Sequence, residues 1–143
     1  MAAIKTTDNT ALHVAVEAEE LWTNGNVDVL DEQYTDDFVY HGPNGTDLDM
    51  DGYRAHVQEF RAAFPDSQVE THERPLDGDT STIRFTYSGT WKGEFMGMEP
   101  TGATFTIDGI SMARVEDGKI AEIWRNTDNL GMMAQLGLVD LPA

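Results

Sequence analysis

Hydrophobic positions recur every three or four residues through the first 64 residues and alternate after Pro65, a change from helical to strand periodicity. Leu12, Ala15, Val16, Glu19 and Trp22, with Ala18 and Leu21 beside them, follow the cap candidates Thr7-Asp8-Asn9-Thr10 and predict a helix that stops at Asn24-Gly25-Asn26. Residues 27–34 read as a short second helix and 37–41 as a brief strand halted by Gly42-Pro43. Turn chemistry fills 44–50. Asp51 is the expected cap of a third helix, on which Tyr53, His56, Val57, Phe60 and Phe64 fall at three- and four-residue spacing up to Phe64-Pro65-Asp66.

Beyond Pro65 the segments 68–75, 80–91, 103–115 and 119–128 alternate as strands do. Two turns, Leu76-Asp77-Gly78-Asp79 and Glu116-Asp117-Gly118-Lys119, are of the Asp-Gly kind that two-residue hairpins favour. Residues 92–102 are too glycine-rich for a strand interior and predict a long loop or lid. A last helix covers 130–136. Three helices followed by a long meander predict an α+β fold: a cone-shaped curved antiparallel sheet with the three N-terminal helices packed on it and a short C-terminal helix. At 143 residues the expectation is one domain over 1–143.

Composition changes the picture mainly through charge. Asp plus Glu number 26 against 9 Lys plus Arg, a net −17 with a pI near 4.2. Such a surface repels nucleic-acid phosphates and opposes binding to an anionic membrane. The acids run from Asp8 to Asp140 without a tail, and lysine occurs only at Lys5, Lys92 and Lys119. This is the pattern of a cytosolic halophilic protein, in which salt screens self-repulsion, or of an acidic mesophilic one. The absence of cysteine excludes disulfides, thiolate nucleophiles and zinc–thiolate sites. No apolar leader opens MAAIKTTDNT and no stretch approaches a membrane span, so a soluble cytoplasmic protein is expected.

In Asp47, Asp49 and Asp51 before Gly52 a calcium loop is suggested, but Gln58 stands where the bidentate glutamate belongs, and a solvated turn is the better reading. Trp124, Asn126 and Asp128 share one face of the last strand, and Ile123, Arg125 and Thr127 the other. Asp128 is a candidate general base if Trp124, Met112 and Met132 desolvate it, or the cap of the final helix. Arg114, across the Asp117-Gly118 hairpin, is expected to pair with Asp128, to stabilise an oxyanion, or to lie on the surface. His41, beside Tyr40 at the end of the first strand, is a candidate proton-transfer group or a structural histidine. His56 shares the third helix's apolar face with Tyr53 and Phe60, as a ligand contact or as core. His13 and His72 look exposed. Trp91, Phe95 and Met96, Met98, Met112, Met132 and Met133 are candidate walls for a flat apolar ligand, or plain packing.

An ordered series of segments carries a family resemblance. It comprises Phe64-Pro65-Asp66, Asp77-Gly78-Asp79, Gly89-Thr90-Trp91-Lys92-Gly93-Glu94-Phe95, Pro100-Thr101-Gly102, Arg114-Val115-Glu116-Asp117-Gly118-Lys119, Glu122-Ile123-Trp124 with Asp128 four beyond, and Gln135-Leu136-Gly137. The chain resembles the SnoaL-like polyketide cyclases (ester cyclases) of the nuclear transport factor 2-like fold, strongly over about the last 80 residues and more weakly over 22–41. The resemblance implies a cone-shaped pocket in which Asp128 serves as acid and base in an intramolecular aldol cyclisation, without metal or organic cofactor. Arg114 and Met112 stand where the family's cyclases place a histidine and a glutamine. The expected function is proton abstraction next to a carbonyl, with cyclisation or isomerisation of a small, mostly apolar compound. Asp128, Arg114 and His41 are its candidate catalytic groups; Tyr40, His56, Trp91, Phe95, Met112, Trp124 and Asn126 would contact the substrate. Alternatives are a non-catalytic binding or dimerisation module and an epoxide-type hydrolase. A homodimer is expected by analogy.

Overall fold

The structure, a computed structural model, describes residues 13–72, 76–77 and 79–140. Helix α1 (His13–Thr23) is wound as a π-helix where an α-helix was expected, a rare winding that concentrates at functional sites. Its start at Thr7–Thr10 and Leu12 lies outside the described residues. Its inward face buries Val16, Ala18, Leu21 and Trp22 together with two polar residues, His13 and Glu17. Helix α2 (Val29–Gln33) leads into strand β1 (Tyr34–His41), which begins three residues before the expected start. Helix α3 (Met50–Ala63) is capped by Asp49, whose Oδ1 accepts from the Gly52 amide at 2.8 Å, and not by Asp51. The cap lies where the side chain can reach the third helical amide, two residues earlier than the apolar pattern suggests.

The strands β2 (Asp47–Leu48), β3 (Gln68–Thr71), β4 (Leu76–Asp77), β5 (Thr80–Thr90), β6 (Thr104–Glu116) and β7 (Lys119–Thr127) complete the sheet. Its order is β2-β1-β7-β6-β5-β3, with β4 on β5. The pairings are antiparallel except that β1 runs parallel to β7, so the expected purely antiparallel sheet is a mixed one. Its cause is the helical crossover from β1 through α3, which returns the meander to the first strand in the same direction. Asp117 and Gly118 both have positive φ, 51° and 77°, the backbone of a two-residue hairpin whose twist matches the strands it joins. Helix α4 (Asn129–Gln135) closes the cone.

Register determines which side chains face inward. Ser111 pairs with Ile83 on one side and Arg125 on the other, and Ala113 with Ile123. The concave face is therefore built from Ile83, Phe85, Tyr87, Ile107, Ser111, Ile123, Arg125 and Thr127. Trp124, Asn126, Met112 and Arg114 point to the convex face. Residues 92–102 form a loop fixed to the end of α3: the Lys92 and Gly93 amides donate to the Ala63 carbonyl at 2.9 and 3.0 Å. Gly93 is required there, because a Cβ would come within 2.1 Å of the Ala62 carbonyl oxygen. Phe95 inserts between Phe60, Phe64 and Trp91.

Candidate active site

A cavity of about 100 Å³ lies between the concave sheet face and helices α1 and α3. Aromatic and aliphatic side chains line most of it: Trp22, Tyr40, Phe60, Phe85, Tyr87 and Ile107. Four further lining residues carry its chemistry: Glu17 from α1, His56 from α3, Ser111 from β6 and Arg125 from β7.

Glu17 and Arg125 form a buried ion pair, with Arg125 Nη2 donating to Glu17 Oε1. The carboxylate also accepts from the hydroxyls of Tyr34 and Tyr53 and, at 3.0 Å, from Trp22 Nε1. Burial would raise the Glu17 carboxyl, but the Arg125 charge and the hydrogen bonds from Tyr34 and Tyr53 outweigh it, holding the group below its ordinary value. Glu17 is a fixed anion and not a proton carrier near neutrality. Arg125 Nη1 reaches the Tyr53 hydroxyl at 3.2 Å, and the guanidinium carbon lies 5.3 Å from the ring centroids of both Trp22 and Tyr40. The guanidinium is thus oriented by four neighbours and desolvated, the condition under which a cation acts strongly on charge developing beside it.

His56 packs among Trp22, Tyr40 and Phe60 at centroid distances of 5.7, 5.7 and 4.8 Å. Burial, reinforced by Arg125, lowers its pKa to about 4, so the imidazole is neutral at pH 7. His13 is fully buried at the base of the cone, its Nδ1 3.2 Å from Ser81 Oγ and its Nε2 3.2 Å from Ser111 Oγ. Burial likewise takes it to about 4, against the pull of Glu17.

The family model for SnoaL-like polyketide cyclases matches residues 13–136. The chain belongs to this family. Among solved structures, IdmH of Streptomyces antibioticus, a candidate polyketide cyclase, shares 33% identity with a TM-score of 0.77, over 94% of this chain and 99% of its own. AclR of Streptomyces galilaeus, a candidate hydroxylase, is 24% identical with a TM-score of 0.82 over 96% and 91% of the two chains. A candidate SnoaL-like cyclase from a Jannaschia species superposes at 0.83 with 20% identity, over 98% and 99%. At those identities the last two show the shared fold alone. No curated protein matches.

As a SnoaL-like protein the chain places its sequence-predicted residues unevenly. Tyr40 and His56 line the cavity. Trp91 and Phe95 are core residues outside it, with Trp91 Nε1 donating to the Gly93 carbonyl at 2.7 Å. Most of the remaining candidates lie on the convex face of the sheet. Met112, Trp124, Asn126 and Asp128 border a groove on the convex side. Asp128 is exposed and caps α4, its Oδ1 accepting from the Gly131 amide at 2.8 Å, so the desolvation expected of a base is absent. Arg114 pairs with Glu122 and Glu116, both at 3.1 Å, and not with Asp128. Both ring nitrogens of His41 are engaged, Nδ1 by Asp47 at 2.8 Å and Nε2 by Glu122 at 2.6 Å, outside the cavity. The Glu122 hydrogen bond, with help from Asp47, raises its pKa. Asp47 and Asp49 are thus a histidine partner and a helix cap.

Glu17, Arg125, Ser111 and His13 were missed. The available signals were a carboxylate between Val16 and Ala18 in α1 and an arginine directly after Ile123-Trp124. The segment 92–102 is a long loop and contributes no wall to this cavity. Among the described residues no helix is long and apolar enough to cross a membrane.

Proposed function

We propose that the cavity binds a small, mostly apolar carbonyl compound and transfers the proton next to its carbonyl without a cofactor, the step that begins an aldol ring closure or an isomerisation. His56 takes the proton, Arg125 stabilises the enolate oxygen, and Glu17 with Tyr53 positions the guanidinium. The observation that carries this reading is the neutral imidazole beside an oriented guanidinium in an apolar enclosure. A neutral ring accepts a proton, and the enolate formed beside Arg125 compensates the charge that burial otherwise disfavours. The volume of about 100 Å³, below the roughly 150 Å³ cavity that admits benzene, favours a compound no larger than one small ring.

Deuterium exchange into cyclopentanone, followed by NMR, tests it. The protein should accelerate exchange over buffer, His56→Phe should lose at least roughly tenfold of the acceleration, and the rate should level off above about pH 5 because His56 titrates near 4. No acceleration, or full activity in His56→Phe, sinks the proposal. A second reading keeps Asp128 as the acid–base group, because its chain neighbours Thr127 and Asn129 both line the cavity. Asp128→Asn retains the cap and removes the acid, so loss of exchange in that variant alone would favour it. The convex face, with Ile110 55% exposed near Met112 and Trp124, is the surface we propose for homodimer contact, which sedimentation would detect.

A further inference from the structure

The base of the cone holds a second reactive constellation that the proton-transfer reading does not use. Ser111 lines the cavity, and its Oγ lies 3.2 Å from His13 Nε2. The other ring nitrogen, Nδ1, lies 3.2 Å from Ser81 Oγ. In the tautomer with the hydrogen on Nδ1, that hydrogen goes to Ser81 Oγ and Nε2 presents its lone pair to the Ser111 hydroxyl. Hydroxyl, imidazole and an orienting third group then stand in the sequence that activates a serine. Arg125 is the direct cross-strand neighbour of Ser111 on the same face, so its guanidinium flanks the position where a carbonyl attacked by Oγ would develop negative charge.

We propose that Ser111 is an acyl-accepting nucleophile, with His13 as its base and Ser81 as the positioning residue, giving the cavity a hydrolytic activity toward small carboxylic esters. Ser111 Oγ bonds to the ester carbonyl carbon while its proton passes to His13 Nε2, and the oxyanion forms beside Arg125. Collapse breaks the bond to the alkoxy oxygen, which takes the proton from Nε2 and leaves as the alcohol. Water then adds to the acyl carbon, giving a proton to Nε2 that returns to Ser111 as the carboxylic acid departs. Ester and water become acid and alcohol, and the protein is restored. The transient imidazolium is favoured by Glu17, one turn along α1, and opposed by Arg125. The inference shares the cavity and Arg125 with the proton-transfer proposal but does not rest on it, because His56 has no part in it.

The probe is p-nitrophenyl acetate, read by the initial burst of p-nitrophenolate and by mass spectrometry of the digested protein. One acetyl group per chain on Ser111 is expected, with the burst rate reduced roughly hundredfold in Ser111→Ala and in His13→Gln. It should be retained in His72→Gln, whose ring bonds Thr86 Oγ1 outside the cavity. Acetyl groups confined to lysine, tyrosine or the amino terminus, or an unchanged burst in Ser111→Ala, overturn the proposal. Should His13→Gln fail to fold, Ser111→Cys decides: in a chain without cysteine its thiol should take up the acetyl group at the same peptide, and an unmodified thiol counts against the site.

Discussion

Two buried histidines should govern how this protein responds to mild acid. His13 and His56 each titrate near 4 in the folded state against an ordinary 6.5. Between those values the unfolded chain binds a proton at each ring that the folded chain refuses, so stability is intact above pH 6.5 and falls as pH drops toward 4. At pH 5.5 the unfolded ring is about tenfold more protonated than not, whereas the folded ring is almost wholly neutral. The loss is RT ln 11, about 1.4 kcal/mol per histidine. Urea unfolding at pH 7.5 and 5.5 in one fixed high salt concentration measures it, in a window where ordinary carboxylates scarcely titrate. His41 has a raised value and the opposite sign: its contribution is present at low pH and lost as pH rises through its folded value, and its partial exposure keeps that effect small. The comparison is therefore between wild type and His56→Phe, which keeps a ring among Trp22, Tyr40 and Phe60. The variant's stability should fall about 1.3 kcal/mol less than wild type between the two pH values. Equal falls in the two proteins would refute the claim that His56 is neutral in the fold.

Glu17→Gln leaves the Arg125 charge buried without its anion and should cost about 3–5 kcal/mol in chemical denaturation, while Glu17→Gln with Arg125→Met should recover most of it. Gly93→Ala drives a methyl group into the Ala62 carbonyl and should lower stability by about 1–3 kcal/mol, visible as a lower Tm, whereas a change within error would mean the loop 92–102 can lift away from α3. With a net charge of −17, unfolding midpoints should rise on going from about 0.1 to 1 M salt, as the Debye length falls from about 10 to 3 Å; a flat response would locate the charge in already compensated pairs.

Much of the fold was legible because its signals are local. The helical spacing of Tyr53, Val57 and Phe60, the stop at Phe64-Pro65, the Asp117-Gly118 hairpin and the alternating residues of β5 to β7 each report a backbone preference that neighbours in sequence enforce. The α4 cap by Asp128 was legible in the same way, as one of two uses foreseen for that carboxylate. Exposure was not. His13 was expected on the surface, yet it is fully buried against Ser81 and Ser111, residues 68 and 98 positions away along the chain.

Alternation along β7 by itself establishes that Trp124, Asn126 and Asp128 share one face and Ile123, Arg125 and Thr127 the other. Which face the helices cover is a tertiary matter, and the usual hint misleads at this strand and its neighbour. The convex side carries Trp124, Met112 and Ile110, while the concave side accepts Arg125, Ser111 and Thr127 because it encloses a site. Burying a polar group on a strand is costly unless distant partners satisfy it. Glu17 neutralises Arg125 from 108 positions away, with Tyr53 beside it, and no spacing rule connects such residues. Sequence therefore determined most of the helices and strands, the Asp117-Gly118 turn and the acidic composition. The folding of α1 and α3 over one face of the sheet decided which titratable groups lost their water, and with it where the chemistry lies.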